Sequence, residues 1–177
     1  MAEKKIRMTA KGFQDLQERL DLLQNDRRAE VAKKLEEARS QGDLSENAEY
    51  DAAKDAQAEL EAEIAELKKK IELADIISDG ELSNDEIGIG SYVSLKDLEF
   101  GDELHLQIVG SVEAKPFDNM FSDESPLGAA AVHKKVGDVF EYETPAGMVR
   151  MEVLSITRGD NPWPDEVGST EGEKTDE

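Results

Sequence analysis

Two long stretches without proline, each carrying apolar residues three and four positions apart, flank one short turn, and that arrangement admits few folds. On the first side Phe13, Leu16, Leu20 and Leu23 recur at spacings of 3, 4 and 3, the seam of a coiled coil. The pattern then slips by fours to Val31 and Leu35 before Ala38, a stutter that locally unwinds a supercoil. On the second side Tyr50, Ala53, Ala56, Leu60, Ile64, Leu67, Ile71 and Ala74 repeat the spacing down to Asp79-Gly80. Thr9 supplies an N-cap and only Gly12 interrupts the run to Arg39, so a helix is predicted from Thr9 to about Arg39. Thirty residues at about 1.5 Å rise make each limb on the order of 45 Å long. The turn Gly42-Asp43-Leu44-Ser45-Glu46-Asn47 is too short for anything but antiparallel neighbours. Residues 1–78 are therefore predicted to form a coiled-coil helical hairpin with an acidic tip at 42–47.

The seam becomes small toward the turn, where Ala38, Ala48, Ala52, Ala53 and Ala56 replace the leucines of the base. Small residues allow two backbones to approach closely and leave a slender end suited to insertion into a channel. Alanine is also the best helix former and fills positions where nothing needs packing, so the feature alone does not choose between the two readings.

Past Asp79 the period changes to two. A polar linker is predicted at 79–88, followed by strands at Ser91–Leu95, Leu104–Val109, Val139–Tyr142 and Met148–Leu154. Ser125-Pro126-Leu127-Gly128 opens one short helix, with serine at the N-cap and proline at the first helical position. Pro145-Ala146-Gly147 reads as a hairpin turn. The result is a small β-rich domain at 89–158. Residues 159–177 hold Pro162, Pro164, three glycines and seven acids against one lysine, the composition of a disordered acidic tail. Trp163 is out of keeping with such a tail and points to docking on the body or on a partner. His105 and His133 have no ligand-spaced neighbours and are expected at the surface.

Charge limits the partners. Residues 1–78 carry 19 acids and 14 bases, whereas residues 79–177 carry 23 and 7, so net charges of -5 and -16 make up the total of -21. Such a balance opposes nonspecific binding to a polyanion, and any nucleic-acid contact must be local. The absence of cysteine excludes disulfides and thiolate metal sites. No apolar run approaches the roughly 20 residues needed to cross a bilayer, and Met1–Arg7 lacks the apolar stretch of a secretory signal. A soluble, cytoplasmic protein without membrane contact is expected.

The acidic turn supports two readings. Aspartate and glutamate offer hard oxygen ligands suited to magnesium, which keeps most of its water and takes one or two protein carboxylates. Two carboxylates do not close a metal site, so the remaining ligands would come from a partner or a phosphate. Asp43-Leu44-Ser45-Glu46 is equally a capping box, with Asp43 capping the second helix and Glu46 reaching back to the cap amide, and capping boxes are common at helix starts. Spacing alone favours the cap.

The stretch from Glu37 to Tyr50, EARSQGDLSENAEY, resembles the signature of the bacterial GreA/GreB transcript cleavage factors. Ser125-Pro126-Leu127-Gly128, followed by Val136-Gly137-Asp138, resembles the second signature of that family, and the likeness runs in order from about residue 8 to 157. It implies an α+β fold in which the hairpin is followed by a domain of FKBP-like topology that grips bacterial RNA polymerase. The arm would enter the secondary channel and meet the 3′ end of backtracked nascent RNA. Asp43 and Glu46 would act in trans, sharing a magnesium ion with the polymerase active site, while Ser45 and Asn47 support the tip. The protein would act as a monomer and as an effector of another enzyme, binding no cofactor stably by itself. Arg27, Arg28, Arg39 and Lys54 become candidates for contact with the extruded RNA, alongside Lys33 and Lys34. Glu30, Glu36 and Glu37 are interspersed among them, as on an ordinary solvated face.

Competing readings are a non-cleaving, inhibitory channel factor of the same family, a prolyl isomerase and a coiled-coil adaptor. The inhibitory relatives carry a more acidic tip. An isomerase needs a dense aromatic pocket, and aromatics make up 5% of this chain. An adaptor would need neither the β domain nor the signature turn.

Overall fold

The structure is a computed structural model that describes residues 3–42, 47–77 and 83–168. It is α+β and divides into two units, one of Met1–Lys4 with Phe13–Ala74 and one of Lys5–Gly12 with Asp75–Glu177. The two helical limbs form where the heptad spacing places them: α1 (Ala10–Leu22) and α2 (Arg28–Ser40) on the way out, α3 (Ala48–Glu72) on the return. Leu23, Val31, Leu60, Ile64 and Leu67 are buried together along the seam, with Leu16 and Leu20 packed against them. Fully burying one such side chain contributes about 1.5–3 kcal/mol, so a thin stripe suffices to hold two long helices.

The slip in the heptads takes a different form from the expected stutter. Leu23–Arg27 is a turn of π-helix, in which the Arg28 N–H reaches the Leu23 carbonyl five residues back. Leu23 and Val31 lie eight residues apart and both are buried. Two turns at a 3.5-residue repeat take about seven residues, and the wide turn absorbs the eighth without rotating the seam away from α3. The irregularity is a π-bulge in one turn and not a distributed change of supercoil.

The boundaries of the β-rich unit are wider than composition suggests. Strand β1 (Ile6–Met8) pairs with β2 (Ala74–Ile76), and the Ile77 N–H donates to the Met8 carbonyl at 2.9 Å. Met8 is fully buried. Residues 5–12 thus belong to the β unit and not to the hairpin. Gly110 makes this possible, because a Cβ there would stand 2.1 Å from the Arg7 carbonyl oxygen. Thr9 caps α1 through its Oγ1, which accepts from the Gly12 N–H at 3.0 Å. The Glu113 carboxylate receives the Thr9 N–H and the Gly110 N–H, each at 3.0 Å, and the Thr9 hydroxyl. Within the predicted linker, residues 79–82 lie outside the described residues, as does residue 78 before it, but Ile87 is buried in the core and Glu86 bridges to Lys135. A polar composition concealed one isoleucine that the core requires.

The main sheet has the order β5-β4-β3-β7-β6, from β3 (Tyr92–Asp97), β4 (Glu103–Val109), β5 (Met120–Ser122), β6 (Val139–Thr144) and β7 (Gly147–Thr157). All pairings are antiparallel except β4 with β5. The hairpin between β6 and β7 turns at Pro145-Ala146, with Thr144 opposite Gly147. Helix α4 (Pro126–Ala131) is capped by Ser125, whose Oγ accepts from the Gly128 N–H at 3.0 Å, and it sends Leu127 and Ala131 into the core. There they join Ile87, Val93, Leu95, Leu106, Ile108, Phe140, Met151 and Val153. The short strands β1, β2 and β5 carry too few residues for alternation to mark them.

Residues 159–168 do not form part of a disordered tail. Trp163 stacks on the His105 ring with centroids 4.1 Å apart and planes within 3°. His105 Nδ1 lies 2.6 Å from a Glu166 carboxylate oxygen, Val167 is buried, and the Gly168 N–H donates to the Asp118 carbonyl at 2.8 Å. His105 is therefore a half-buried anchor and not a bare surface histidine. One tryptophan and one valine supply the apolar contact that the acid count masked. Residues 169–177 lie outside the described residues.

Candidate functional site at the hairpin tip

Asp43, Leu44, Ser45 and Glu46 lie outside the described residues, so the candidate pair Asp43 and Glu46 and its supporting Ser45 are approached through what flanks them. The outgoing limb ends at Ser40, whose hydroxyl donates to the Glu37 carbonyl at 2.7 Å. Gly42 follows at φ +107°, a backbone conformation that side chains rarely adopt.

The return limb begins later than the capping box requires. The N-cap of α3 is Asn47 and not Asp43, and Asn47 Oδ1 accepts the N–H groups of Glu49 at 3.1 Å and Tyr50 at 3.2 Å. The physical reason lies in the competition between two cap-forming residues four positions apart, each able to satisfy orphan amides. Glu49 and Asp51 then occupy the first turn, where carboxylates complement the helix dipole.

Asn47 does more than cap. Its Nδ2 donates to the Ala38 carbonyl on α2 at 2.7 Å, across the hairpin. One side chain thus ties the start of the second limb to the end of the first. Ala38 is buried at this crossing and Ala53 is buried on the facing helix, so the small seam residues do permit close approach near the tip. Its oxygen and one amide hydrogen are engaged in this way, which leaves one amide hydrogen to donate elsewhere. Asparagine is itself a favoured N-cap residue, and this is the signal by which the sequence marks Asn47.

The four candidate cations divide into two pairs. Arg28 forms a two-pronged ion pair with Glu61 on the facing limb, Nε and Nη2 each 2.8 Å from a carboxylate oxygen. The hydrogen bond to Arg28 holds the Glu61 carboxyl below its ordinary range, and the same bond raises Arg28. Arg27 Nη1 lies 2.6 Å from Glu30, three residues on. These two guanidiniums, next to or inside the π turn, are paired within the arm itself. Arg39 and Lys54 make no ion pair among the described residues. No cluster of three or more His, Asp or Glu residues suited to a metal occurs among the described residues. No helix among the described residues is long and apolar enough to cross a membrane.

The family model described as "Transcription elongation factor, N-terminal" matches residues 6–76, and the one described as "Transcription elongation factor, GreA/GreB, C-term" matches residues 82–158. The chain belongs to the GreA/GreB family of transcription elongation factors. It is 44% identical to the transcription elongation factor GreA of Clostridium acetobutylicum over 154 residues, covering 87% of this chain and 98% of that one. Identity to the GreA of Thermoanaerobacter pseudethanolicus is 43% over 155 residues, covering 88% and 99%. Against the GreA of Lachnoclostridium phytofermentans it is 44% over 158 residues, covering 89% and 99%.

Proposed function

We propose that this GreA-type elongation factor binds bacterial RNA polymerase through its β-rich unit and inserts the helical arm into the secondary channel. There it stimulates cleavage of backtracked nascent RNA and rescues arrested complexes. The observation that carries the reading is the double tie of Asn47, which caps α3 and holds the Ala38 carbonyl of α2 at 2.7 Å. Tying the two limbs together beside the turn would lower the entropic cost of holding Asp43 and Glu46 in place, and positioning of this kind is what a group acting in trans must supply. Asp43 and Glu46 would share a magnesium ion with the polymerase, which in such sites stabilises the attacking and leaving oxygens of phosphodiester hydrolysis. Arg39 and Lys54 would approach the phosphates of the extruded RNA. The protein is then an effector and not a nuclease alone.

The test uses purified protein and backtracked elongation complexes in magnesium buffer. The wild type should shorten RNA 3′ ends, and Asp43→Ala with Glu46→Ala should abolish the effect while leaving polymerase binding intact in a competition assay. Failure of the wild type to shorten any transcript would overturn the reading. Equal loss of binding in the double variant would assign the carboxylates to structure alone.

A further inference from the structure

The two limbs of the arm differ in the spacing of their buried positions. On the outgoing limb Leu23, Val31, Leu35 and Ala38 are 8, 4 and 3 residues apart. On the return limb Leu67, Ile64, Leu60 and Ala53 are 3, 4 and 7 apart, the regular heptad rhythm. The excess of one residue falls wholly between Leu23 and Val31, where the π turn Leu23–Arg27 takes it up.

Three properties that favour bending coincide in this stretch. No residue from Gln24 to Glu30 is buried, so the outgoing limb adds no buried apolar side chain to the seam between Leu23 and Val31. Segments with few buried apolar contacts open at low free energy. The Arg28 N–H reaches the Leu23 carbonyl five residues back, and a π-bulge of this kind is one of the few features at which helices kink sharply. The limbs are joined here by charge, with Arg28 Nε and Nη2 each 2.8 Å from a Glu61 carboxylate oxygen. Both side chains are more than 40% exposed, and an exposed pair of this sort contributes about 0–1 kcal/mol, so it can re-form at a new angle without uncovering apolar surface. On each side the buried seam resumes, with Leu23 toward the base and Val31, Leu35 and Ala38 toward the tip.

We propose that Leu23–Val31 is a bending joint within the arm, at which the tip half swings on the base half while the seam on either side stays packed. Helix α3 runs unbroken past the joint, so the motion is a bend and the two limbs stay together. The ten residues from Val31 to Ser40 put the end of α2 about 15 Å beyond the joint, and a bend of about 10° carries it by roughly 2–3 Å. A misplacement of about 1 Å in a reacting group can cost on the order of 100-fold in rate. The role of the joint rests on the polymerase reading and adds a second degree of fitting to it: Asn47 ties the limbs beside the acidic turn, and the joint adjusts where that turn is delivered.

The test straightens the joint and reads the angle directly. The chain has no cysteine of its own, so spin labels on Gln17→Cys and Glu36→Cys, two exposed positions on either side of the joint, report their separation without background. Deleting Asn25 restores a seven-residue spacing between Leu23 and Val31 and should narrow the distance distribution by about twofold, because the π turn is lost. The same deletion should keep the wild-type thermal midpoint and polymerase binding while lowering transcript cleavage by about tenfold or more. Hydrogen exchange on the unaltered protein gives a second measurement that does not depend on how the deletion folds. Amides from Asn25 to Glu30 should exchange about tenfold or more faster than those from Leu60 to Leu67 on the return limb. Equal widths with and without Asn25, or equal protection of the two segments, would overturn the joint. A narrowed distribution with undiminished cleavage would overturn its part in delivering the tip and leave the polymerase reading standing. Absence of cleavage by the wild type would remove that reading, while the widths and the exchange rates would still decide whether the arm bends at Leu23–Val31.

Discussion

The arm and the β-rich unit keep their shape by different means. The β unit buries a contiguous set from Ile87 to Val153, and Met8, Ile89, Val109 and Val167 are buried outside that cluster. The arm has one narrow seam, and among its described residues near the tip only Ala38 and Ala53 are buried. Alanines provide little apolar area, so the last turns of the arm are held by hydrogen bonds such as those of Asn47. Where burial is plentiful a single polar side chain trims the structure, and where burial is scarce it determines the structure. The largest test of this contrast is Leu106→Ala in the centre of the β core. It should cost about 2–5 kcal/mol, read as a shift of the denaturant midpoint. Trp163, the single tryptophan, lies in the β unit and helical circular dichroism is dominated by the arm. The fluorescence transition should therefore move more than the dichroism transition. Coincident shifts of equal size would dissolve the distinction between the two regions.

Asn47 provides the complementary test. Asn47→Ala should cost about 1 kcal/mol as a lost cap, less than the core truncation, yet it should reduce transcript cleavage strongly with polymerase binding unchanged. Asn47→Asp keeps the acceptor for Glu49 and Tyr50 but removes the donor to Ala38. It should retain α3, seen as slow hydrogen exchange at those two amides, while still losing cleavage. Full activity in Asn47→Asp would show that the cross-hairpin bond does not position the tip.

The same contrast explains what could be read from the sequence. Heptads from Phe13 to Ile71 reveal both limbs, since the spacing repeats over many residues, whereas Ala74, which continues the spacing, lies in β2. Four strands and the Ser125-capped helix follow from alternation and start signals. Elements fixed by tertiary contact escape. Strand β1 is three residues long and exists through its pairing with β2 and the close approach of Gly110 to Arg7. Ile87 is one apolar residue in a polar run. The π turn absorbs a one-residue excess that the spacing records but whose geometry it leaves open. At the site, the carboxylates were evident from type and from the family resemblance, whereas the cap moved from Asp43 to Asn47 because local signals tie and the cross-hairpin contact decides.

The strap that carries Trp163 lies beyond residue 158, where the family match ends. It sharpens the comparison because it adds burial to a unit already well packed. Trp163→Ala should lower stability by about 1 kcal/mol, the order of a stacked aromatic pair with its buried area, detected as a reduced thermal midpoint. Trp163→Phe should recover most of the loss by restoring a ring against His105. No effect of Trp163→Ala would mean that Val167 and the backbone bonds to Asp118 and Asn119 hold the strap alone.

The smallest expected effect comes from the pair that joins the two limbs, Arg28 and Glu61. Both groups are exposed, so the attraction is screened by water and by salt. Because Glu61 is depressed in the folded arm, its contribution is present above the ordinary glutamate range and disappears as the pH falls through the lowered folded value. A double-mutant cycle with Arg28→Ala and Glu61→Ala should give a small coupling near neutral pH that vanishes in acid and in high salt. The pair nevertheless sits directly after the π turn, where backbone geometry and not attraction sets the facing of Arg28. If the coupling proves as large as the loss of the Asn47 cap and survives high salt, then the arm depends on charge along its length, and scarce burial at the tip is only one instance of a wider reliance on polar contacts.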